Sequence, residues 1–215
     1  KKIASPLFQD LSEAELDTLA AAGHLRTRQF AKHEVIFHAG SCVREIGIVL
    51  RGSVHIENLD LWGTKSILSS VGAGQAFAET YAFCGEALMV DAVAAEHCEI
   101  LFLHTAAFTD ARIEPALQDK LLRRLLAVSM RKNLSLSQRI FCTTPKTVRG
   151  RLLTYFSAQA ARCGRMAFEV PFNRQQMADY LNLDRSALSK ELCKMRDEGL
   201  LEFDKNRFVL KQLPE

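Results

Sequence analysis

The spacing of apolar and polar residues changes character several times along the chain, and each change predicts a different kind of element. Between Leu11 and Ala22, Ser12 is followed three residues later by Glu15, then by Leu16 and Leu19. That is a capping box running into a short helix. From Leu25 to about Leu103 the pattern becomes short, alternating or β-branched runs: EVIFHAG, EIGIVLRGSVHIEN, KSILSSVGAG and VDAVAAEHCEILFL. Runs this short and this regular predict an antiparallel barrel or jelly roll. Gly40, Gly47, Gly52, Gly63, Gly72 and Gly74 are read as the turn residues between them. One Ala-rich stretch, Ala76 to Phe83, interrupts the strands and predicts a short helix.

From Ile113 to about Phe141 there is no Gly and a single Pro, Pro115, placed where a first helical turn tolerates it. Leu117, Leu121, Leu125 and Val128 recur at near-heptad spacing, with Leu122 and Leu126 beside them. Such a seam packs either on the barrel or on the same helix of a second copy. Two stripes side by side predict both. Thr143-Thr144-Pro145 then breaks the helix and reads as a hinge, because the residue before Pro is pushed out of the helical region. Lys146 to Ala161 restarts as an amphipathic helix on Val148, Leu152, Leu153 and Phe156, and Phe168 to Pro171 reads as a short strand.

The stretch Phe172 to Leu201 reads as two short helices joined by a tight corner. Met177, Ala178 and Leu181 form one apolar face; Leu188, Leu192 and Met195 form the next. Asn182 stands where the corner needs a left-handed residue, and Asp184 stands as N-cap of the second helix. Outward lie Arg185, Ser186, Ser189 and Lys190, donors suited to base edges in the major groove. A helical hairpin with a solvated charged face is the other reading of this segment. After it, LLEFDKNRFVL predicts two strands around Asp204-Lys205-Asn206-Arg207, a wing with a basic tip. The fold class is therefore α+β, with three regions: a β-roll (1–112), a dimerisation helix (113–142) and a winged helix-turn-helix (143–215).

Charge sharpens that division. The net charge is +3 overall. Up to Cys142 there are 15 basic and 16 acidic residues, and after it 13 and 9. The positive excess thus lies with the candidate helix-turn-helix, where phosphate attraction needs it. No apolar run reaches the roughly 18 residues of a membrane span, and no signal-peptide pattern opens the chain. The six cysteines, at 42, 84, 98, 142, 163 and 193, have no metal-ligand spacing, as expected for reduced thiols of a cytosolic protein. The chain opens Lys1-Lys2 without methionine, so a preceding native segment, with or without a cluster site, is expected to be missing. No Gly-rich phosphate loop, GxSxG or HExxH is present, which argues against an enzyme.

A β-roll, a long helix, a hinge and a winged helix-turn-helix in this order resemble the CRP/FNR family of bacterial transcription regulators. The resemblance covers essentially the whole chain. It rests on VIFHAG…IGIVLRGSVHI, TVRGRLLTYF and NRQQMADYLNLDRSALSKELCKMRDEGLLE. It implies a homodimer on a palindromic double-stranded operator, with RNA polymerase as a further partner. By the resemblance Arg185, Ser186, Ser189 and Lys190 fall where bases are read, and Arg174, Gln175, Lys205 and Arg207 fall near phosphates. Ser186 and Lys190 replace the family's usual Glu and Arg, so the operator is expected to differ from the common one.

The resemblance also places an effector region at Phe77, Ala78, Glu79, Tyr81, Leu88, Met89 and Val90. Cyclic-nucleotide binders of the family use a Gly-Glu pair for the ribose, matched here by Ala78-Glu79. Their Arg-Ser or Arg-Thr pair for the cyclic phosphate falls on Met89-Val90. A buried phosphate without a cationic partner is costly, so cAMP and cGMP are not expected, with Lys65 the one substitute cation considered. An apolar compound, a haem sensing gas, or no ligand stay open. The six histidines (24, 33, 38, 55, 97 and 104) offer axial ligands, though none lies on the short helix. Cys84 reads as a redox thiol or as a buried small residue, the latter preferred. A cyclic-nucleotide-binding regulatory module without a direct DNA role is the alternative function.

Overall fold

The computed structural model describes residues 4–59 and 65–211, without the side chains of Leu59 and Lys65. Lys1, Gly63 and the Lys65 side chain, which the sequence reading used, thus lie outside the described part. Contacts divide the chain into two compact units, Lys1–Arg131 and Lys132–Glu215.

In the first unit, α1 (Glu13–Ala21) starts from the expected capping box: Ser12 accepts from the Glu15 amide and Glu15 accepts from the Ser12 amide. Eight strands follow: β1 (Leu25–Phe30), β2 (Val35–Phe37), β3 (Glu45–Arg51), β4 (Ser53–Leu59), β5 (Lys65–Gly72), β6 (Ala76–Phe77), β7 (Asp91–Ala94) and β8 (Cys98–His104). They form two four-stranded sheets, ordered β1-β8-β3-β6 and β2-β7-β4-β5, with antiparallel pairing throughout.

The period-two alternation of β8 places its side chains in two separate cores. Ile100 and Phe102 face the interior of the roll with Phe30, Val49, Val54 and Phe77. Leu101 and Leu103 face the other way, with Ile46, Ile48, Leu7 and Leu19. The strand is buried on both faces and so reads as one apolar run rather than an alternation.

The outer core is closed by α3 (Pro115–Thr143). Leu117, Leu121 and Leu125 are 4, 0 and 6 % exposed and belong to that core. The seam expected to meet a second copy therefore packs on the roll of its own chain, and Val128 is only half-buried. The neighbouring stripe, Leu122 and Leu126, is the exposed one.

Two further readings are corrected. Ala76 and Phe77 are not helical: they pair with Ile48 and Gly47 of β3 and are buried, and α2 (Glu79–Cys84) starts only after them. Gly47 is not a turn residue but lies inside β3, between its cross-strand partners Phe77 and Phe102.

The second unit takes in the end of α3, then α4 (Val148–Cys163), β9 (Ala167–Glu169), α5 (Arg174–Leu181), α6 (Arg185–Asp197), β10 (Leu201–Asp204) and β11 (Arg207–Leu210). The units thus divide inside α3, which the sequence reading kept as a region of its own (113–142). The reason is that α3 is tied into the second unit before it ends, through Arg139. The Thr143-Thr144-Pro145 break is held as well. Thr143 Oγ1 donates to the Arg139 carbonyl (2.9 Å), Thr144 Oγ1 to Ile140 (2.8 Å), and Arg151 Nε to Pro145 (2.8 Å).

The core of this unit gathers on α4. Leu152, Tyr155 and Phe156 meet Met177 and Leu181 of α5, Leu188, Leu192 and Met195 of α6, and Phe168 and Phe208 of the small sheet β10-β11-β9. Tyr155 is 2 % exposed, and its hydroxyl has no hydrogen-bond partner among the described residues. A buried, unsatisfied donor costs its desolvation penalty, whereas phenylalanine keeps the packing without it. Tyr155→Phe is therefore expected to raise stability by about 1 kcal/mol, read as a higher urea midpoint at unchanged slope. A lower midpoint would mean that the hydroxyl makes a bond worth keeping.

Candidate nucleic-acid interface and effector region

The helix-turn-helix is set by local chemistry. Asn173 and Gln176 form a capping box at the start of α5. Asn182 ends it in the left-handed conformation (φ 53°), which Asn tolerates better than most residues. Asp184 caps α6, accepting from the amides of Ser186 (2.8 Å) and Ala187 (2.9 Å). The Ser186 hydroxyl, the largest influence, and the Ala187 amide hold the Asp184 carboxyl below its usual range. Such caps contribute about 1 kcal/mol.

On α6, Leu188, Leu192 and Met195 are fully buried. Arg185, Ser186 and Lys190 are exposed and Ser189 is half-buried. Ser186, Lys190 and Cys193 share one outward face at helical spacing; exposed Cys193 was not picked out from the sequence. Ser186 Oγ points at its own cap, donating to Asp184 Oδ1, so reading a base requires it to rotate.

Several arginines fix this reader in ways the sequence did not reveal. Arg139 of α3 donates to the carbonyls of Tyr180 and Asp179, both at 3.0 Å. Arg151 of α4 donates to those of Leu181 (3.1 Å) and Asn182 (2.7 Å). These carbonyls lie at the negative end of the α5 dipole, where helical partners run out, and that of Asp179 also accepts from the Asn182 amide (3.3 Å). Arg149 bridges α4 to α6, with Nε 2.6 Å from Glu191 and Nη2 2.9 Å from Glu198. That pair is partly exposed and modest in energy, but it fixes the roll of α6 about its axis.

The residues expected near phosphates divide. Lys205 and Arg207 are exposed on the β10–β11 wing, Lys205 at its tip with φ 51°. Gln175 donates to Asp179 Oδ1 (2.8 Å). Arg174 is half-buried, with its guanidinium 4.9 Å from the Phe203 ring centre and 5.1 Å from that of Phe208. It joins the wing to α5 by cation–π contact. A shallow groove of about 470 Å³ runs between Phe172, Asn173 and Arg174 on one side and Lys205 and Asn206 on the other.

In the roll, Ala78 adopts a left-handed conformation (φ 61°) just before α2. That is a backbone state glycine adopts without strain. Glu79, Phe77 and Leu88 are buried, and Tyr81 and Val90 are half-buried. Met89, expected to help line an apolar pocket, is 77 % exposed. The loop carrying it is pinned on either side, with Gly40 and Leu88 sharing a backbone bond and Asp91 accepting from the Ala39 amide. Cys84 is also exposed, not buried as preferred, because it ends α2 on the solvent side.

Two of the six histidines are engaged within the fold. His24 Nε2 lies 2.7 Å from Asp110, and His104 Nδ1 caps the Ala106 amide. Among the described residues no group of three His, Cys, Asp or Glu side chains converges.

A ligand-sensing roll followed by a winged helix-turn-helix with a cationic reading helix defines a DNA-binding regulator with an effector domain. The comparisons agree. The cyclic nucleotide-binding domain matches residues 27–112 and the Crp-like helix-turn-helix domain matches 150–215. The chain belongs to the CRP/FNR family of transcription regulators, which are not enzymes. It is similar to the catabolite activator protein of Thermus thermophilus, at 25 % identity over 96 % of this chain and 94 % of that one, with a TM-score of 0.50. Its fold is also like those of FixK2 from Bradyrhizobium japonicum (19 % identity, 87 % and 93 % covered, TM-score 0.52) and CprK complexed with OCPA (12 %, 94 % and 91 %, TM-score 0.63). No curated protein matches the chain in sequence. No helix among the described residues is long and apolar enough to cross a membrane.

Proposed function

We propose that the chain works as a homodimer that reads a palindromic operator through Arg185, Ser186, Ser189 and Lys190, under the control of an effector held in the roll. The observation that carries the reading is the exposed Arg185-Ser186-Lys190 front on a helix whose apolar back is fully buried. Lys205 and Arg207 on the wing, with Arg174 across the groove, supply phosphate contacts that set register without reading sequence. Gln175 contributes once its bond to Asp179 exchanges. Two such helices serve one operator when about 34 Å apart, and in this reading the two copies pair through the exposed stripe of α3. RNA polymerase is the further partner by analogy with the family.

The effector is not a cyclic nucleotide in this reading. Where the family neutralises the cyclic phosphate, this chain has Met89 and Val90, and Met89 is exposed. That argues against a cyclic phosphate there, and the effector in this reading is an apolar small molecule or a redox or gas signal. Such an effector acts only by binding the DNA-competent arrangement with different affinity from the other.

The test is a salt-dependent gel shift on selected operators. Arg185→Ala is expected to cost about 1–3 kcal/mol of specific binding and to relax preference at one base position. Lys205→Ala is expected to weaken all sequences alike and to reduce the salt slope by about one. Unchanged preference at every base in Arg185→Ala would remove that residue from the reading set.

A further inference from the structure

The exposed side of α3 carries its own register. Leu122, Leu126, Ser129, Asn133, Leu136 and Ile140 follow one another at alternating intervals of four and three residues. Alternating intervals of four and three are the spacing of the heptad seam of a two-stranded coil. Leu122, Leu126, Leu136 and Ile140 are 47, 56, 61 and 65 % exposed, and Asn133 is exposed too. The interval pattern puts Leu126, Asn133 and Ile140 at a positions and Leu122, Ser129 and Leu136 at d positions. Ile140 at a with Leu136 at d matches the two-stranded preference of parallel coils, and a single Asn at an a position fixes register and strand number at a cost in stability.

We infer that Asn133 faces Asn133 of a second copy across the two-fold axis and sets the register of a parallel coil. This rests on the dimer reading above and adds to it. An amide carries both donor and acceptor, so two identical side chains satisfy one another across a two-fold axis. A slip of one heptad sets the amide against Leu126 or Ile140, with its polar atoms unpaired. Within its own chain Asn133 Oδ1 receives a distant approach from Ser137 Oγ, at 3.4 Å, long for a hydroxyl bond. Leucine layers on both sides supply the affinity, and the asparagine selects which pairing they make. Register matters for function because a slip along α3 displaces one reading head against the other and spoils the spacing a palindrome demands.

Full-length Asn133→Asp and Asn133→Lys, alone and mixed in equal amounts, test this by sedimentation at neutral pH. Each alone is expected to weaken the dimer about a hundredfold through like-charge apposition, and the mixture to restore a heterodimer. The same mixing with Ile140→Asp and Ile140→Lys reports direction, since an end layer meets its own counterpart only in a parallel pair. Leu136→Glu tests the dimer face itself and is expected to give monomer. A wild-type-like dimer mass in Leu136→Glu overturns the dimer reading. Monomer there, with no rescue in the Asn133 mixture, overturns the register assignment alone. Rescue at 133 without rescue at 140 makes the coil antiparallel and also overturns the proposal.

Discussion

Gly47→Val is expected to destabilise the roll by about 3 kcal/mol, at the upper end of what inserting side-chain volume into a packed core costs. A Cβ at residue 47 would come within 2.7 Å of three ring carbons of Phe77. Gly47 pairs with Phe77 on one side and Phe102 on the other. Phe77 is 2 % exposed and also meets Phe37, with ring centres 5.8 Å apart. The ring has nowhere to retreat. If it moves, it carries with it the backbone leading into Ala78 and Glu79. The diagnostic comparison is a double-mutant cycle with Phe77→Ala, which removes the ring the new side chain would strike. The two substitutions should then be less harmful together than their separate costs imply, by about 1 kcal/mol or more. Strict additivity in urea unfolding would show that the valine is harmful for some other reason.

That glycine marks a boundary of what the sequence discloses. Gly47 looks like its neighbours at the ends of runs, because the space it leaves is filled by a ring thirty residues away. The strands themselves were legible as short apolar runs, but not which way each residue points. With both faces of β8 buried, the alternation that usually tells inside from outside is absent. The same ambiguity governed α3. Two leucine stripes stand side by side, and only the position of the roll decides that Leu117, Leu121 and Leu125 belong to it while Leu122 and Leu126 do not.

The reading head was the most legible part, for a physical reason. Its determinants are caps and corners made by side chains bonding to backbone a few residues away, as at Asn173, Asn182 and Asp184. Arg139 and Arg151 stayed hidden because their partners are carbonyl oxygens, which every residue has. The stacking of Arg174 on Phe203 and Phe208 stayed hidden too, because it joins elements far apart in the chain.

Phe208→Ala is expected to cost about 3–5 kcal/mol, the range for truncating a fully buried aromatic residue. Phe208 has no exposure, and its ring centre lies 4.6 Å from Phe156, 5.9 Å from Phe203 and 6.4 Å from Phe168. Its strand is the middle one of three, paired to both β10 and β9. The cost is a large share of the roughly 5–15 kcal/mol that holds a typical domain together. It should fall on the DNA-binding unit alone. Hydrogen exchange over 148–210 should accelerate while exchange in β3 and β8 stays slow, because the cores of the roll share no residue with this one. Phe208→Leu keeps most of the volume and should cost far less, yet it removes the ring under Arg174. If the stack positions the wing, Phe208→Leu should weaken DNA binding at all sequences alike while the unit stays folded. Unaltered binding in a folded Phe208→Leu would reduce the stack to a packing contact, and uniform exchange throughout the chain in Phe208→Ala would mean that the two units unfold as one.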